Sequence, residues 1–470
     1  MTIHSKDRPG DRFRGRISSL APVFLTLILL AFAHDAALAS EPPSSDLTFG
    51  GSQFVELMTK GDFAAAVAQF DPTMKAALPE EKLRGVWQTV QEQAGPFKAL
   101  LQTRVARQRG YGVVFVTCQF ERATVDVKVV FDAGRQVAGL FFVPSHAVAG
   151  MFQPPPYARA GAYREKDVTV GRGEWSLPGT LTLPAGVATL VPAVVLVHGS
   201  GPGDRDETVF ANKPFRDLAW GLATKGVAVL RYEKRTKEHA AKIAAGGIGN
   251  LTVKEETIDD AVCAAALLRG TDGIDPKRVF VLGHSLGGML APRIALADPN
   301  LAGLIILEGA TNRPLEDLMV EQTRYLISLG ANQPEDAGAR LSRMIEEAGK
   351  VKKLTATDAS ASTLLLGAPS KYWIDLREHD SLAAARTLKQ PLLVIQGGRD
   401  YQVTQADFDD WKKALGPRPG VTFKLYPALN HLLIAGQGRS TPSEYGIPGH
   451  VDEGVIADIA GWILGTPGLP

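Results

Sequence analysis

The sequence has few of the residues that would tie it to a disulfide framework, a metal centre or a nucleic acid. Only two of its 470 residues are cysteines, Cys118 and Cys263. They fall in different predicted domains, so we expect two buried free thiols rather than a bridge. Lysine and arginine (51) balance aspartate and glutamate (50), and the net charge of +1 gives no electrostatic attraction to nucleic acid or an anionic membrane surface. His, Cys, Asp and Glu show no metal-ligand spacing, and phosphate-loop and dinucleotide motifs are missing, so no metal and no cofactor are expected.

Long hydrophobic runs are also scarce, and the one near the N-terminus is short. Arginines at positions 12, 14 and 16 precede an apolar run at 20–33, and an Ala-x-Ala cleavage site ends at Ala39. This pattern predicts a secretory signal peptide over residues 1–39 and a periplasmic or secreted protein. The alternative is a retained anchor. Because the run is too short for a comfortable membrane span, we expect no stable span after cleavage.

The length and the patterning predict two domains, since 470 residues exceed one ordinary core. Between residues 45 and 143, helical spacing is followed by four strand-like runs, which indicates a small α+β domain with a binding or spacing role. This order resembles the ketosteroid-isomerase-like fold and a domain of unknown function that precedes secreted bacterial hydrolases. Residues 144–162 contain three consecutive prolines and predict a semi-rigid linker.

Strand and helix patterns alternate from residue 163 to 470, after an opening antiparallel pair. Such alternation predicts an α/β domain in which helices cover both faces of a mostly parallel sheet. The alternation is interrupted at about 312–388, where helical patterns occur without a convincing strand. An insertion there would lie over the carboxyl ends of the strands, where ligands bind in open α/β sheets, so we predict a lid.

The stretch that organises this domain is Gly-His-Ser-Leu-Gly at 283–287. A buried strand is predicted directly before it, at 279–282, and a helix of small and apolar residues directly after it, at 288–297. A Gly-x-Ser-x-Gly motif between a strand and a helix is the context of a nucleophile elbow, with Ser285 as nucleophile. The alternative is a glycine-rich turn at the start of a helix, with Ser285 as its N-cap.

A serine hydroxyl needs a base to take its proton and an acid to orient that base. His431 follows the last predicted strand and can turn its ring back over the sheet edge, whereas His450, the alternative base, begins the final helix. The acid belongs in the loop after the preceding strand, where two glycines precede Asp400. Glu308, at the end of an earlier strand, is the alternative acid.

An oxyanion requires two backbone N–H groups aimed at one point. We assign one to Leu286, directly after the nucleophile, and the other to Ser200, in the glycine-rich loop that follows the first parallel strand. The charged residues at 204–207 lie beside that loop. We interpret them as solvated, although their position also allows a role in shaping the pocket.

With these positions filled, residues 163–464 resemble an α/β-hydrolase. The stretches at 198–215 and 230–235 are more specific, and resemble secreted bacterial hydrolases near the dienelactone-hydrolase and serine-aminopeptidase branches. This resemblance implies an esterase that acts on small acyl esters without a cofactor. Dienelactone hydrolases use a cysteine nucleophile, whereas this elbow carries Ser285, and that departure argues against the dienelactone reaction.

We therefore predict an exported serine hydrolase that cleaves carboxylic esters of small acyl groups through an acyl-enzyme on Ser285. The catalytic residues would be Ser285, Asp400 and His431, with the oxyanion bound by Ser200 and Leu286. A serine aminopeptidase or peptidase is the main alternative because the same fold supports both reactions. A non-catalytic binding protein on this fold is the third hypothesis.

Overall fold

The structure, a computed structural model, describes residues 44–108, 111–121, 124–144, 152–210, 212–245, 248–329, 337–360 and 364–468. The chain divides into two compact units between Ala147 and Val148. The predicted signal peptide lies outside the described residues, as does part of the predicted linker. Across the ranges above, none of the helices has the length and apolar character needed to cross a membrane.

The first unit has helices followed by an antiparallel meander, which is the predicted α+β order. Its described elements are α1 (Ser44–Thr59), α2 (Phe63–Ala68), α3 (Pro72–Ala77), α4 (Glu80–Ala94), β1 (Phe97–Gln108), β2 (Tyr111–Phe120), β3 (Thr124–Phe131) and β4 (Val137–Pro144). The strands pair in sequence order, β1-β2-β3-β4. Alternation along β2 buries Val114, Val116 and Cys118 in one cluster with Phe54 of α1 and Trp87 of α4.

One carboxylate is fully buried in the first unit. Asp126 on β3 lies opposite Thr117 on β2 in the strand register. Its carboxylate accepts a hydrogen bond of 2.6 Å from the Thr117 hydroxyl and pairs with the Arg104 guanidinium on β1. A buried carboxylate is tolerated when it is hydrogen-bonded and paired in this way.

The second unit contains an eight-stranded sheet and a separate two-stranded hairpin, β11–β12. In chain order, the strands of this unit are β5 (Tyr163–Val170), β6 (Leu177–Pro184), β7 (Val191–Val197), β8 (Ala228–Tyr232), β9 (Ile274–His284), β10 (Gly303–Leu307), β11 (Leu364–Leu365), β12 (Ala368–Pro369), β13 (Leu392–Gly397) and β14 (Val421–Tyr426). The order across the sheet is β14-β13-β10-β9-β7-β8-β6-β5. The pairs β5–β6 and β6–β8 are antiparallel, and the remaining pairs are parallel. The predicted fold class, a lidded α/β-hydrolase domain after a small α+β domain, is confirmed.

Helices cover both faces of this sheet. In chain order the helices are α5 (Pro214–Thr224), α6 (Arg235–Glu238), α7 (Ala240–Ala245), α8 (Asp259–Arg269), α9 (Leu286–Ala297), α10 (Leu315–Ser328), α11 (Ala337–Lys353), α12 (Ser370–Arg377), α13 (Ser381–Thr387), α14 (Gln405–Leu415) and α15 (Glu453–Gly465). One face packs against α8, α9 and α14, and the other packs against α5 and α15. Successive residues of β7 alternate between these two cores, Val195 in one and Leu196 in the other, so the central strands are buried on both sides.

The predicted lid at 312–388 contains α10 to α13 and the β11–β12 hairpin, which the sequence pattern did not indicate. It leaves the sheet at the end of β10 and returns at β13, the adjacent parallel strand. Tyr325 of α10 stacks on Tyr401, with ring centroids 4.7 Å apart, and donates a hydrogen bond of 2.8 Å to the carbonyl of Ser440. The lid therefore contacts the loops that follow β13 and β14.

Two sequence interpretations of the linker and the cysteines need correction. The later part of the predicted linker belongs to the second unit, because Tyr157 is buried in the core with α5 and α15 and its hydroxyl donates to the Val451 carbonyl at 2.7 Å. Both cysteines are free, but only Cys118 is buried. Cys263 is exposed on α8, since it falls on the helix side turned away from the sheet.

Candidate active site

Ser285 stands at the junction of β9 and α9, where the chain turns sharply. Its backbone is in a strained conformation, with φ 53° and ψ −119°. Its N–H donates to Leu307 O at 2.9 Å, which fixes the turn against β10. A β-carbon added at Gly287 would come within 2.3 Å of Val197 O, and one at Gly283 would come within 2.1 Å of Gly287 O. Gly287 is therefore closed by the neighbouring strand β7, whereas Gly283 is closed by the turn itself.

The loops after β13 and β14 bring Asp400 and His431 together. His431 Nδ1 donates to Asp400 Oδ2 at 2.6 Å, and both side chains are buried. The other carboxylate oxygen of Asp400 accepts the backbone N–H groups of Gln402 (2.6 Å) and Val403 (3.2 Å), which holds the acid in place. With Nδ1 occupied, Nε2 is the imidazole nitrogen that can receive a proton from a serine hydroxyl.

His431 also lies beside the elbow. The His431 ring is 4.8 Å from the ring of His284, the residue before the nucleophile. His284 Nε2 is 2.8 Å from the carbonyl oxygen of His431. The predicted nucleophile, base and acid are therefore gathered at one edge of the sheet.

Glu308, the alternative acid, is fully buried next to this pair. Its Oε1 accepts the Gly397 N–H and its Oε2 accepts the Gln396 side-chain amide, both at 2.6 Å. Burial, and then the neighbouring charge of Asp400, raise the pKa of Glu308 well above its usual value. The raised pKa favours the neutral carboxylic acid form of Glu308, and it is Asp400 that accepts the hydrogen bond from the His431 ring.

Glu308, Asp400 and His431 have ligand atoms within 4.8 Å of one another, which is close enough to hold a metal ion. However, N–H groups already point at both oxygens of Glu308, and Asp400 uses its second oxygen to orient the ring. A metal would have to displace these donors. The arrangement fits a hydrogen-bonded acid–base cluster better than a metal centre.

His450, the alternative base, is engaged elsewhere. Its Nδ1 lies 3.1 Å from Asp217 on α5, and its ring meets Phe152 edge-on with centroids 5.6 Å apart. Asp217 also accepts the backbone N–H of Val451, so it fixes the start of α15. This pair links α5 to the segment that leads into α15.

The predicted oxyanion loop passes directly beside the nucleophile. A β-carbon added at Gly199 would lie 3.1 Å from Ser285 Cβ. The Gly199 N–H already donates to Glu207 Oε1 at 2.7 Å, so the next amide, that of Ser200, is the one left for a ligand. Leu286 begins α9, and N–H groups in the first turn of a helix have no intrahelical acceptor.

The loop at 204–207 is partly withdrawn from solvent, contrary to the sequence interpretation. Asp206 is buried and pairs with Arg231, Arg216 and Lys213. The sequence reasoning missed this network because its buried partner Arg231 lies 25 residues away on β8. A usable signal was Arg231, a charged residue at the end of an otherwise apolar strand, where burial requires a partner.

Backbone strain is concentrated at the same edge of the sheet. Seven non-glycine residues among those described have positive φ, and five of them lie at or after the carboxyl ends of strands of the eight-stranded sheet. Such strain costs about 1–3 kcal/mol per residue and clusters at functional sites. These five are Glu207, Phe210, Ser285, Glu308 and Leu433.

Comparisons with known proteins bear on the family of the chain. Residues 194–443 match the model described as "Alpha/beta hydrolase family", and residues 51–140 match one described as "Protein of unknown function (DUF3887)". The chain is 39% identical over 412 residues to esterase EstD of Thermotoga maritima, covering 87% of this chain and 94% of that protein. The chain belongs to the alpha/beta hydrolase family.

Solved structures are more distant. An esterase of Pyrococcus furiosus has 17% identity and a TM-score of 0.41, over 64% of this chain and 91% of that one. Est1E from Butyrivibrio proteoclasticus has 15% identity and a TM-score of 0.40, over 63% and 97%. The family assignment rests on the family model and on the Thermotoga relative.

Proposed function

We propose that this hydrolase is an exported serine esterase that cleaves carboxylic esters of small acyl groups. The observation that carries the proposal is the buried Asp400–His431 hydrogen bond beside the strained Ser285. The 39% identical relative named an esterase supports the same reaction class. The proposal of export rests on the sequence of residues 1–39. We expect the measured mass of the mature protein, recovered from the periplasm or the medium, to correspond to a chain without these residues.

In the proposed reaction, Ser285 Oγ attacks the acyl carbon while its proton passes to His431 Nε2. The carbonyl oxygen becomes an oxyanion and accepts the N–H groups of Ser200 and Leu286. The tetrahedral intermediate collapses, and His431 returns the proton to the departing alcohol. Water then attacks the acyl-enzyme by the same route and releases the acid. Asp400 keeps the imidazole in the tautomer with its proton on Nδ1 and stabilises the imidazolium.

The lid favours esters over peptides with a free amine. A peptidase of that kind needs carboxylates available to a substrate ammonium. Three of the lid acids are instead paired with cations of the protein at 2.5 Å. These pairs are Glu321 with Arg324, Asp317 with Lys352, and Asp375 with Arg293.

The test compares kcat/KM for p-nitrophenyl acetate and butyrate with values for aminoacyl and prolyl anilides. We expect ester turnover, with kcat/KM falling as the acyl chain becomes longer than the lidded pocket accepts. Efficient anilide cleavage with poor ester turnover would show a peptidase. A fluorophosphonate probe, which modifies only an activated serine, tests the non-catalytic alternative, because a binding protein on this fold would remain unlabelled.

A further inference from the structure

Two charged side chains hold the backbone of Gly199 from opposite sides. The Gly199 N–H donates to Glu207 Oε1 at 2.7 Å, and the Gly199 carbonyl accepts from Lys234 Nζ at 2.8 Å. The Lys234 side chain is only 2% exposed and the Glu207 side chain 11%. Removing two charged groups from water costs free energy, so two nearly buried charged side chains that both hydrogen-bond to the backbone of one glycine indicate a specific role.

The Lys234 bond acts on the peptide that carries the Ser200 N–H. The carbonyl of Gly199 and the N–H of Ser200 belong to one planar trans peptide, so they point in opposite directions. Fixing the carbonyl oxygen on Lys234 therefore fixes the direction of the Ser200 N–H. An ammonium on the carbonyl also polarises the peptide and strengthens its N–H as a donor.

Glu207 is itself fixed by His284. His284 Nδ1 lies 2.9 Å from Glu207 Oε2, although the N–H does not point straight along that line, and His284 Nε2 is 2.8 Å from the carbonyl oxygen of His431. A carboxylate and a carbonyl can only accept hydrogen bonds, so these two neighbours favour a proton on each ring nitrogen of His284, which is the imidazolium form. Burial acts to lower the pKa of His284, but the charge of Glu207 raises it overall.

On the basis of the proposed function, we propose that Glu207 and Lys234 are positioning residues that aim the Ser200 N–H at the oxyanion. His284 connects this clamp to the elbow and to the His431 loop, so that one buried charge network sets the relative position of nucleophile, base and oxyanion donor. Neither Glu207 nor Lys234 needs to touch the substrate. Their effect should be confined to the transition state, where the oxyanion exists.

The test uses Lys234→Met in the full-length protein, with Lys237→Met as the control. Lys237 is a nearby lysine that is 46% exposed and pairs with Glu233, which Arg205 also holds. We expect Lys234→Met to lower kcat about 100-fold with little change in KM. A Ser200 N–H that no longer points at the oxyanion should reduce kcat nearly as much as removal of that hydrogen-bond donor. Lys237→Met should keep wild-type kcat.

Lys234 also pairs with Glu256 at 3.5 Å, so Lys234→Met leaves the Glu256 carboxylate without its cation. The loss of stability from that unpaired charge must be distinguished from the loss of positioning at Ser200. Glu256 keeps hydrogen bonds from Thr236 and Tyr372, so Lys234→Met with Glu256→Gln removes the unpaired charge. We expect the double variant to recover its melting temperature but not its kcat. Recovery of kcat together with melting temperature would overturn the positioning role.

The second arm addresses Glu207. Glu207→Ala should lower kcat by about 10²–10³, and should weaken a trifluoromethyl ketone, which forms an oxyanion on Ser285, by a similar factor. Asp217→Ala is the matched control, since it breaks another buried carboxylate–histidine pair and should spare kcat in the folded fraction. Nitrogen-15 NMR of the histidine rings, with His284→Asn for assignment, should show both His284 nitrogens protonated.

The outcomes separate this inference from the proposed function. A wild-type protein without ester turnover, but with a doubly protonated His284, would remove the esterase proposal alone. An active wild type with unchanged kcat in Lys234→Met and Glu207→Ala would overturn the clamp and leave the esterase proposal intact. A neutral His284 ring in the wild type would contradict the network.

Discussion

The two units of this protein bury ionisable side chains in different ways. In the first unit, Asp126 lies within regular antiparallel strands, and its partners Thr117 and Arg104 come from adjacent strands of the same sheet. In the second unit, buried acids and bases gather in loops at the carboxyl ends of parallel strands. There Glu207 and Glu308 combine burial with a strained backbone.

The difference shows that burial of a charge is a weak functional signal by itself. Among the described residues of the first unit, one non-glycine residue has a positive φ, Arg135, and it lies in the exposed turn between β3 and β4. Asp126 is instead in a regular strand, where it is paired, and a paired buried carboxylate can serve the fold alone. Burial, strain and position at the strand ends coincide in the second unit, and this combination indicates a site.

The largest expected effect in the second unit comes from the nucleophile. Ser285→Ala should reduce kcat by about 10⁶, because triad members act as a unit and only background catalysis remains. Ser200→Ala is the matched control. Its contribution is a backbone N–H, so it should stay within a few-fold of wild type. Equal losses in the two variants, measured with p-nitrophenyl acetate, would mean that Ser285 is not the nucleophile.

The two neighbouring acids should differ sharply under the same carboxyl-to-amide change. Asp400→Asn should lower kcat by about 10⁴, because the base would lose its correct tautomer. Glu308→Gln should cost less than about tenfold in kcat, since the hydrogen bond that orients the His431 ring belongs to Asp400 and the amide loses only one of the two acceptors of Glu308. Steady-state kinetics on both variants decides between them, and a reversed order would make Glu308 the acid.

Much of this arrangement was predictable because it depends on local pattern. The strand before the elbow and the elbow at Ser285 follow from a short run of apolar residues and from glycine in a tight turn. The burial of Asp206 in the loop at 204–207 was not predictable in that way, because Asp206 pairs with Arg231, 25 residues further on. Whether a charge is buried depends on tertiary partners that a local pattern does not contain.

Helix geometry is also only partly predictable from a local pattern. The pattern at 254–269 predicts one helix, whereas the structure has a π-helical turn at Lys254–Ile258 before α8.

The pH dependence of stability gives a smaller effect, again from the second unit. The folded pKa of Glu308 is raised, so above the unfolded value near 4.5 the folded chain binds more protons than the unfolded chain. The stability that Glu308 contributes is therefore present at low pH and is lost as pH rises through the folded pKa. Relative to wild type, Glu308→Gln should gain up to about 1.4 kcal/mol per pH unit over this window. Urea unfolding at a series of pH values measures it, and parallel curves would contradict a neutral Glu308.

The smallest expected effect on activity comes from repeating the Asp400 substitution in the first unit. Asp126→Asn keeps the shape and one acceptor for Thr117 or Arg104, but it loses the charge that pairs with the guanidinium. We expect a loss of about 1–3 kcal/mol in the stability of the first unit. Amide hydrogen exchange in β2 and β3 should become faster, because opening of these strands would cost less free energy.

The kcat and KM of Asp126→Asn for a small ester should not change, because the proposed triad and oxyanion donors all come from the second unit. A tenfold fall in kcat in the folded variant would show that the first unit contributes to the site, and would remove the distinction between a buried charge that serves the fold and one that serves the reaction.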